Sequence, residues 1–229
     1  MTEPPGQNLT AAESWRAALI RALAGSEPIH DREQWLVPGL TLEESHQLSY
    51  AFPPAPRPAA VLIPIVDHPD ELTMLLTTRA TQLRNHAGQI SFPGGSLEPG
   101  ELPLAAALRE AQEEIGLASS LVDPIGYLPD HILLTGFRVT PVVALVRPGF
   151  EIQADATEVH DVFEVPLTRV LTASNYQRTL RRIGRDRIRT LEREIEIETH
   201  AVEFEGRNIW GATAGILLNL AQRCEEAAA

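Results

Sequence analysis

The 229-residue chain contains no lysine; all 19 of its basic residues are arginine. Without a side-chain primary amine, a lysine nucleophile or Schiff base is excluded. Cys224 is the single cysteine, so neither an intramolecular disulfide nor a cysteine metal cage can form. Long apolar runs are missing as well: the longest, Ala59 to Val66, is interrupted by Pro64 and falls well short of the roughly 20 residues a membrane-spanning helix requires. The N-terminus, Met-Thr-Glu-Pro-Pro, has neither a basic n-region nor an apolar h-region, and the C-terminus carries no organelle address; a cytoplasmic protein is expected. Positive charge is in deficit too. A formal net charge of −12 repels phosphate backbones and anionic lipids unless a local patch reverses the field. No nucleic-acid or membrane partner is therefore expected, and an anionic substrate needs a cation or a basic pocket.

What is present suits a packed domain. Apolar residues make up 44% and charged residues 22%, ordinary globular usage. Length favours one domain plus an appendage. The expected division is an N-terminal helical extension with a Pro-rich linker over 1–58 and a main domain over 59–229. In the extension the spacing predicts one amphipathic helix from Ala11 to Ala24, followed by loop. Thr10 and Glu13 form a capping box, and Trp15, Leu19 and Leu23 fall on one stripe. Pro53-Pro54-Ala55-Pro56-Arg57-Pro58 can sustain neither helix nor ladder, which puts the main domain's start near Ala59.

Beyond that point, Ala59 to Val66 and Leu72 to Thr78 read as strands that can form a hairpin across Asp67-His68-Pro69-Asp70. Residues 102–115 have helical periodicity. Tyr127 to Leu128, Val139 to Val146 and Val159 to Val165 are strand-like, and Glu194 to Glu198 alternates as a strand with one face in solvent. Ile209 to Cys224 reads as a final helix with Ile216, Leu217 and Leu220 inward. Strands and helices interleave without a repeat, which gives an α/β or α+β class with a mixed sheet.

The chemistry is carried by GSLEPGELPLAAALREAQEEIGL, from Gly95 to Leu117. At 100° per residue, Leu104, Leu108, Ala111 and Ile115 cluster within about 60°, while Glu110, Glu113 and Glu114 span about 100° on the opposite side. Pro103 suits the first turn, and Gly116 can end the helix in a left-handed conformation. Three carboxylates this close repel unless a hard divalent cation such as Mg²⁺ neutralises them. On spacing alone, an ordinary solvated acidic face is the alternative.

Gly95, Glu101, Arg109, Glu110, Glu113, Glu114 and Gly116, with Ala111 and Leu117 in the apolar slots, match the Nudix box. Seven such coincidences arise by chance roughly once in 10⁸ start sites. The chain thus resembles a Nudix hydrolase, a family that cleaves nucleoside diphosphates linked to another moiety with Mg²⁺ or Mn²⁺ and water. The resemblance implies the Nudix α/β/α sandwich with a mixed β-sheet. It implies Glu110, Glu113, Glu114 and the Gly94 carbonyl as metal ligands, with Glu113 and Glu114 at the catalytic centre and Arg109 and Glu101 bracing loop and helix.

The segment from Leu75 to Gly95, LLTTRATQLRNHAGQISFPGG, resembles the signature of the coenzyme A pyrophosphatase branch. That resemblance implies coenzyme A or an acyl-CoA as substrate, bound through Arg79, Arg84, Phe92 and Gly95. Both arginines can pair with phosphate oxygens, and Phe92-Pro93-Gly94-Gly95 sets a tight turn that lets backbone approach a ligand. ADP-ribose, dinucleotides and nucleoside triphosphates are alternative substrates, and a nucleotide sensor that retains the fold is the alternative of another class.

Further similarity runs to about Gln222. Glu158 and Asp161 lie where many Nudix enzymes place another acidic group, and either can bind metal or take a proton from the attacking water, although a solvated loop carboxylate has the same appearance. Arg178, Arg181, Arg182, Arg185, Arg187, Arg189 and Arg193 form a basic cluster. It reads as an ion-paired surface near Glu192 to Glu198, with capture of a 3′-phosphate, a homodimer contact and, last because no RNA-recognition aromatic motif accompanies it, nucleic-acid binding as the functional options. His86, His160 and His200 are too scattered for a zinc site.

Overall fold

The computed structural model describes residues 10–29, 31–48, 52–82, 88–133, 135–183 and 194–228. In chain order it has α1 (Ala11–Leu23), α2 (Leu42–Leu48), β1 (Arg57–Asp67), β2 (Leu72–Arg79), β3 (Ile90–Ser91), β4 (Gly94–Ser96) and α3 (Pro103–Ile115). There follow β5 (Val122–Tyr127), β6 (His131–Ile132), β7 (Phe137–Val146), β8 (Val159–Pro166) and α4 (Leu167–Val170). The described chain closes with β9 (Gln177–Ile183), β10 (Ile195–Phe204), β11 (Arg207–Trp210) and α5 (Gly211–Ala228).

Strand β1 organises the molecule. It runs parallel to β7 from Arg57↔Phe137 to Val66↔Val146, and antiparallel to β2 and β4 on its other side. Because side chains alternate along a strand, Ala60, Leu62 and Val66 face α3, while Ile63 and Ile65 join the core beneath α1 and α5. Burial on both faces accounts for the almost unbroken apolar run. The mixed sheet is completed by β2–β8, β2–β3, β7–β5 and β7–β6 pairs. With α3 on one face and α1 and α5 on the other, this is an α/β/α sandwich around a mixed sheet, as expected. A separate antiparallel sheet, β9-β10-β11, packs against α5.

The Thr10–Glu13 capping box is present: Glu13 N–H donates to Thr10 Oγ1 and Thr10 N–H to Glu13 Oε2. Leu19 and Leu23 of α1 are buried in one cluster with Ile63, Met74 and Leu217. The expected hairpin forms, with Asp67 opposite Leu72.

Other expectations need correction. The stretch after α1 is not all loop, because Thr41 and Glu44 make a second reciprocal cap that starts α2. The strand expected at Tyr127 to Leu128 lies over Val122–Tyr127, where Pro124 and Gly126 flank a register shift that hides its periodicity. The last helix starts at Gly211 rather than Ile209: Ile209 pairs with Val202 in β11, and Gly211 turns the chain at φ +66°. The arginine cluster, by contrast, is the ion-paired surface expected where it is described: on β9 Arg178 pairs with Glu198 and Arg182 with Glu196, while Arg181 lies over the Trp210 ring. Arg185, Arg187, Arg189 and Arg193 fall outside the described residues.

Candidate active site

The site is built where β4 meets β1 and the end of α3 lies over both. Gly94 and Gly95 sit opposite Val61 and Ala60, and a side chain on either would run into a neighbour. A Cβ on Gly94 would stand 2.4 Å from the Ala60 carbonyl oxygen and 2.6 Å from Val61 Cα. A Cβ on Gly95 would meet Glu110 Oε1 at 2.4 Å and its Cδ at 2.5 Å. The first glycine lets two strands close, and the second lets a carboxylate lie against backbone.

Helix α3 begins with Pro103 in its first turn and ends at Gly116, whose φ of +73° is the left-handed cap expected. Its packed face differs from the expected one. Ala106, Ala107, Ala111 and Ile115 are fully buried, Leu104 and Leu108 only partly. Small side chains let the helix approach the sheet closely, and the resulting roll carries Glu114 into the interior instead of onto the solvent face.

The three glutamates therefore occupy three environments. Glu114 is only 3% exposed; its Oε2 accepts from Gly94 N–H at 3.2 Å, and its Oε1 lies 3.8 Å from an Arg79 guanidinium nitrogen. Burial pushes its pKa up to about 8 against the opposing pull of Gly94 N–H and Arg79, and the charges of Glu110 and Glu158 add to the rise. Glu110 rests on Gly95 and accepts from Arg109 Nη1 at 2.9 Å. Glu113 is mostly exposed and accepts from the same nitrogen at 3.1 Å.

Arg109 is the brace. Its Nε and Nη2 grip the two oxygens of Glu101 at 2.9 and 3.0 Å, and Nη2 also donates to the Ser96 carbonyl at 3.1 Å. The Glu101 bonds and the nearby Glu110 raise the Arg109 pKa further, and the Arg109 fork together with Glu98 N–H holds Glu101 below the usual carboxylate range. One guanidinium thus ties the loop after β4 to two of the helix glutamates.

Of the remaining candidates, Arg79 ends β2 with its side chain about one quarter exposed (28%). Glu158 is exposed at the start of β8, held through its carbonyl by Ala80 N–H at 2.8 Å. Phe92 lies in the core: at 4% exposure it belongs to one buried cluster with Ile90, Met74 and Leu76, which anchors the turn. Asp161 is engaged elsewhere, with Arg207 at 3.0 Å, while that guanidinium lies 4.4 Å from the centroid of Phe163. Arg84 and His86 lie outside the described residues.

Among the described residues, no three histidine, cysteine, aspartate or glutamate side chains are already gathered closely enough to cage an ion. The donor chemistry nevertheless fits a hard divalent cation. A buried carboxylate is forced toward its neutral form beside two others, and only one N–H and a distant arginine offset it. Sequence reasoning missed the turn at 155–158, although Asp155-x-Thr157 is a recognisable side-chain-to-backbone turn signal.

The NUDIX domain profile matches residues 56–186. A Nudix hydrolase of Cronobacter sakazakii, named NudL and described as uncharacterized, is 42% identical over 172 residues, spanning 74% of this chain and 84% of that protein. The NudL of Salmonella paratyphi B is 40% identical over 194 residues, spanning 83% of this chain and 90% of its own length. Among solved structures, a MutT/nudix family protein from Enterococcus faecalis is similar with a TM-score of 0.47 and 14% identity, over 82% of this chain and 70% of that one.

Proposed function

This chain belongs to the Nudix hydrolase family, and on that premise we propose that it cuts the diphosphate of coenzyme A or its thioesters. Water adds across one P–O bond of the diphosphate, and the products are adenosine 3′,5′-bisphosphate and a 4′-phosphopantetheine. The observation that supports the substrate is Arg79. It belongs to the Leu75–Gly95 motif, and its guanidinium comes within 3.8 Å of Glu114 on the catalytic helix. A cation from the substrate motif therefore stands beside the carboxylates of the box, where a diphosphate needs one.

Nudix hydrolases generally use divalent ions such as Mg²⁺ or Mn²⁺. Glu110, Glu113, Glu114 and the Gly94 carbonyl would hold one, and such an ion, when bound, neutralises diphosphate charge and lowers the pKa of a water. The rest falls to the chain. Arg79 and Arg84 pair with substrate phosphate oxygens. Glu158, exposed yet close enough for its charge to be felt at Glu114, accepts the proton of the attacking water. Arg109 and Glu101 keep the loop and helix in register, so that Gly94 and Gly95 present backbone to the same space.

The test is a substrate panel with Mg²⁺ or Mn²⁺, products identified by mass. Each charge-assisted bond to a phosphate is worth about 1.5 to 3 kcal/mol, or about 10- to 150-fold. We expect kcat/KM for coenzyme A at least about tenfold above ADP-ribose and NADH, with Arg84→Ala lowering the coenzyme A value most. A better turnover of ADP-ribose or a dinucleotide would reject the coenzyme A assignment and leave the hydrolase. Tight nucleotide binding without hydrolysis would replace both with a sensor.

A further inference from the structure

Glu158 sits on a loop that joins β7 to β8, and an exposed loop by itself does not hold a carboxylate in place. Here the loop is hung from both sides of the site. Gln153 N–H donates to the Ile115 carbonyl at 3.0 Å and Asp155 N–H to the Glu114 carbonyl at 2.9 Å, so the chain is tied to the last turn of α3. On the other side, Ala80 N–H donates to the Glu158 carbonyl at 2.8 Å, and Gln82 Nε2 to the Ala156 carbonyl at 3.2 Å. Between these ties the Asp155 carboxylate accepts from both the N–H and the hydroxyl of Thr157, each at 2.8 Å. Its own carbonyl accepts from Glu158 N–H at 3.0 Å and Val159 N–H at 2.8 Å. Three consecutive amides, at 157, 158 and 159, thus converge on one residue.

We propose that Asp155 is a positioning residue: by closing the 155–158 turn it fixes Glu158 relative to Glu114, and through Gln82 and Ala80 it joins the substrate motif to the catalytic helix. The inference rests on the reading of Glu158 as proton acceptor. The Asp155 carboxylate is turned onto Thr157 and its carbonyl onto the Glu158 and Val159 amides, so its effect passes through Glu158. An asparagine at 155 keeps an oxygen that can accept both Thr157 bonds; an alanine does not.

The experiment compares Asp155→Ala, Asp155→Asn, Glu158→Gln and the Asp155→Ala/Glu158→Gln pair, using whichever diphosphate the wild-type protein turns over best. Asp155→Ala is expected to lower kcat about tenfold or more with KM moved less than about threefold, the range seen when groups that orient a catalytic group are removed. Asp155→Asn should restore kcat to within about threefold of wild type, and in the Glu158→Gln background Asp155→Ala should add almost nothing, because two changes on one path do not add. Independently of turnover, amide exchange at 157–159 in metal-free protein should quicken at least about tenfold in Asp155→Ala and stay slow in Asp155→Asn. Equal damage from alanine and asparagine, a full loss in the Glu158→Gln background, or unchanged exchange in Asp155→Ala would each overturn the assignment. If the wild-type protein turns over no diphosphate, the functional reading fails and the exchange measurement still decides whether Asp155 closes the turn.

Discussion

Glu114→Gln separates the catalytic use of a buried carboxylate from its cost to the fold. In the metal-free protein Glu114 has its pKa raised by burial from 4.5 to about 8. Between those values the folded chain keeps a proton that the unfolded chain has released, so stability falls as pH rises through that window. A gap of about 3.5 pH units at 1.36 kcal/mol each sets a ceiling of about 5 kcal/mol, and relaxation around the charge makes about 2 to 4 kcal/mol the working expectation. Glutamine has nearly the same shape and can still accept from Gly94 N–H, but it never ionises. Urea unfolding with chelator present should therefore show the variant gaining on wild type by about 2 to 4 kcal/mol between pH 5 and pH 9. With Mg²⁺ or Mn²⁺ the wild type should recover that difference, because an ion held at about 100 times its Kd stabilises by about 2.7 kcal/mol. Turnover should drop about 10²-fold or more, beyond the usual effect of removing a group that merely orients a ligand. A stability difference that is flat from pH 5 to pH 9, or a variant within a few-fold of wild-type activity, would refute the reasoning.

The two glycines of the turn should part company. Gly94→Ala drives a Cβ into the Ala60 carbonyl and Val61 Cα, neither of which can move aside, and is expected to cost more than about 2 kcal/mol or prevent folding, read by chemical denaturation. Gly95→Ala meets only the end of Glu110, a side chain that can swing away, so stability should change by less than about 1 kcal/mol while kcat falls at least about tenfold; equal loss of fold in both variants would be the wrong outcome. On the acid side, His131 is fully buried with Nε2 donating to Asn219 Oδ1 at 2.7 Å, and burial pushes its pKa down from 6.5 to about 4. Only the unfolded chain takes up that proton between these values, so about 3 kcal/mol of stability should be lost as pH falls from about 6.5 to about 4. Relative to wild type, His131→Gln should lack that slope in urea titrations, and an identical pH dependence would exclude His131 as its source.

Much of the fold was legible because the signals were local. The Thr10–Glu13 cap, Pro103 at the start of α3, Gly116 at its end and the apolar run of β1 each act through a few neighbouring residues. The elements that were missed draw their order from distant partners. Strand β9 is rich in arginine and reads as surface, yet it pairs along its whole length with β10. Strand β3 has two residues and exists because β2 lies beside it; the Ile90 carbonyl also accepts from Thr213 Oγ1 at 2.9 Å, across 123 positions of sequence. Thr41 and Glu44 are the exception, a local signal of the same form as Thr10 and Glu13 that was available and passed over.

In the site, residue identity was legible and environment was not. A helical wheel fixes the angles among Glu110, Glu113 and Glu114 but leaves the roll of the helix against the sheet undetermined. Leucines at 104 and 108 suggest one roll; alanines at 106, 107 and 111 impose another, because a surface of small residues can come closest to β1 and β4. That choice turns three equivalent letters into different chemical groups: Glu114 buried and held toward its neutral form, Glu110 laid on the Gly95 backbone under Arg109, and Glu113 left in solvent at the far side of the same arginine. A divalent ion binding there must first displace the proton that burial favours on Glu114. Its affinity should rise with pH toward about 8 and level off above it, as metal and proton compete for one carboxylate.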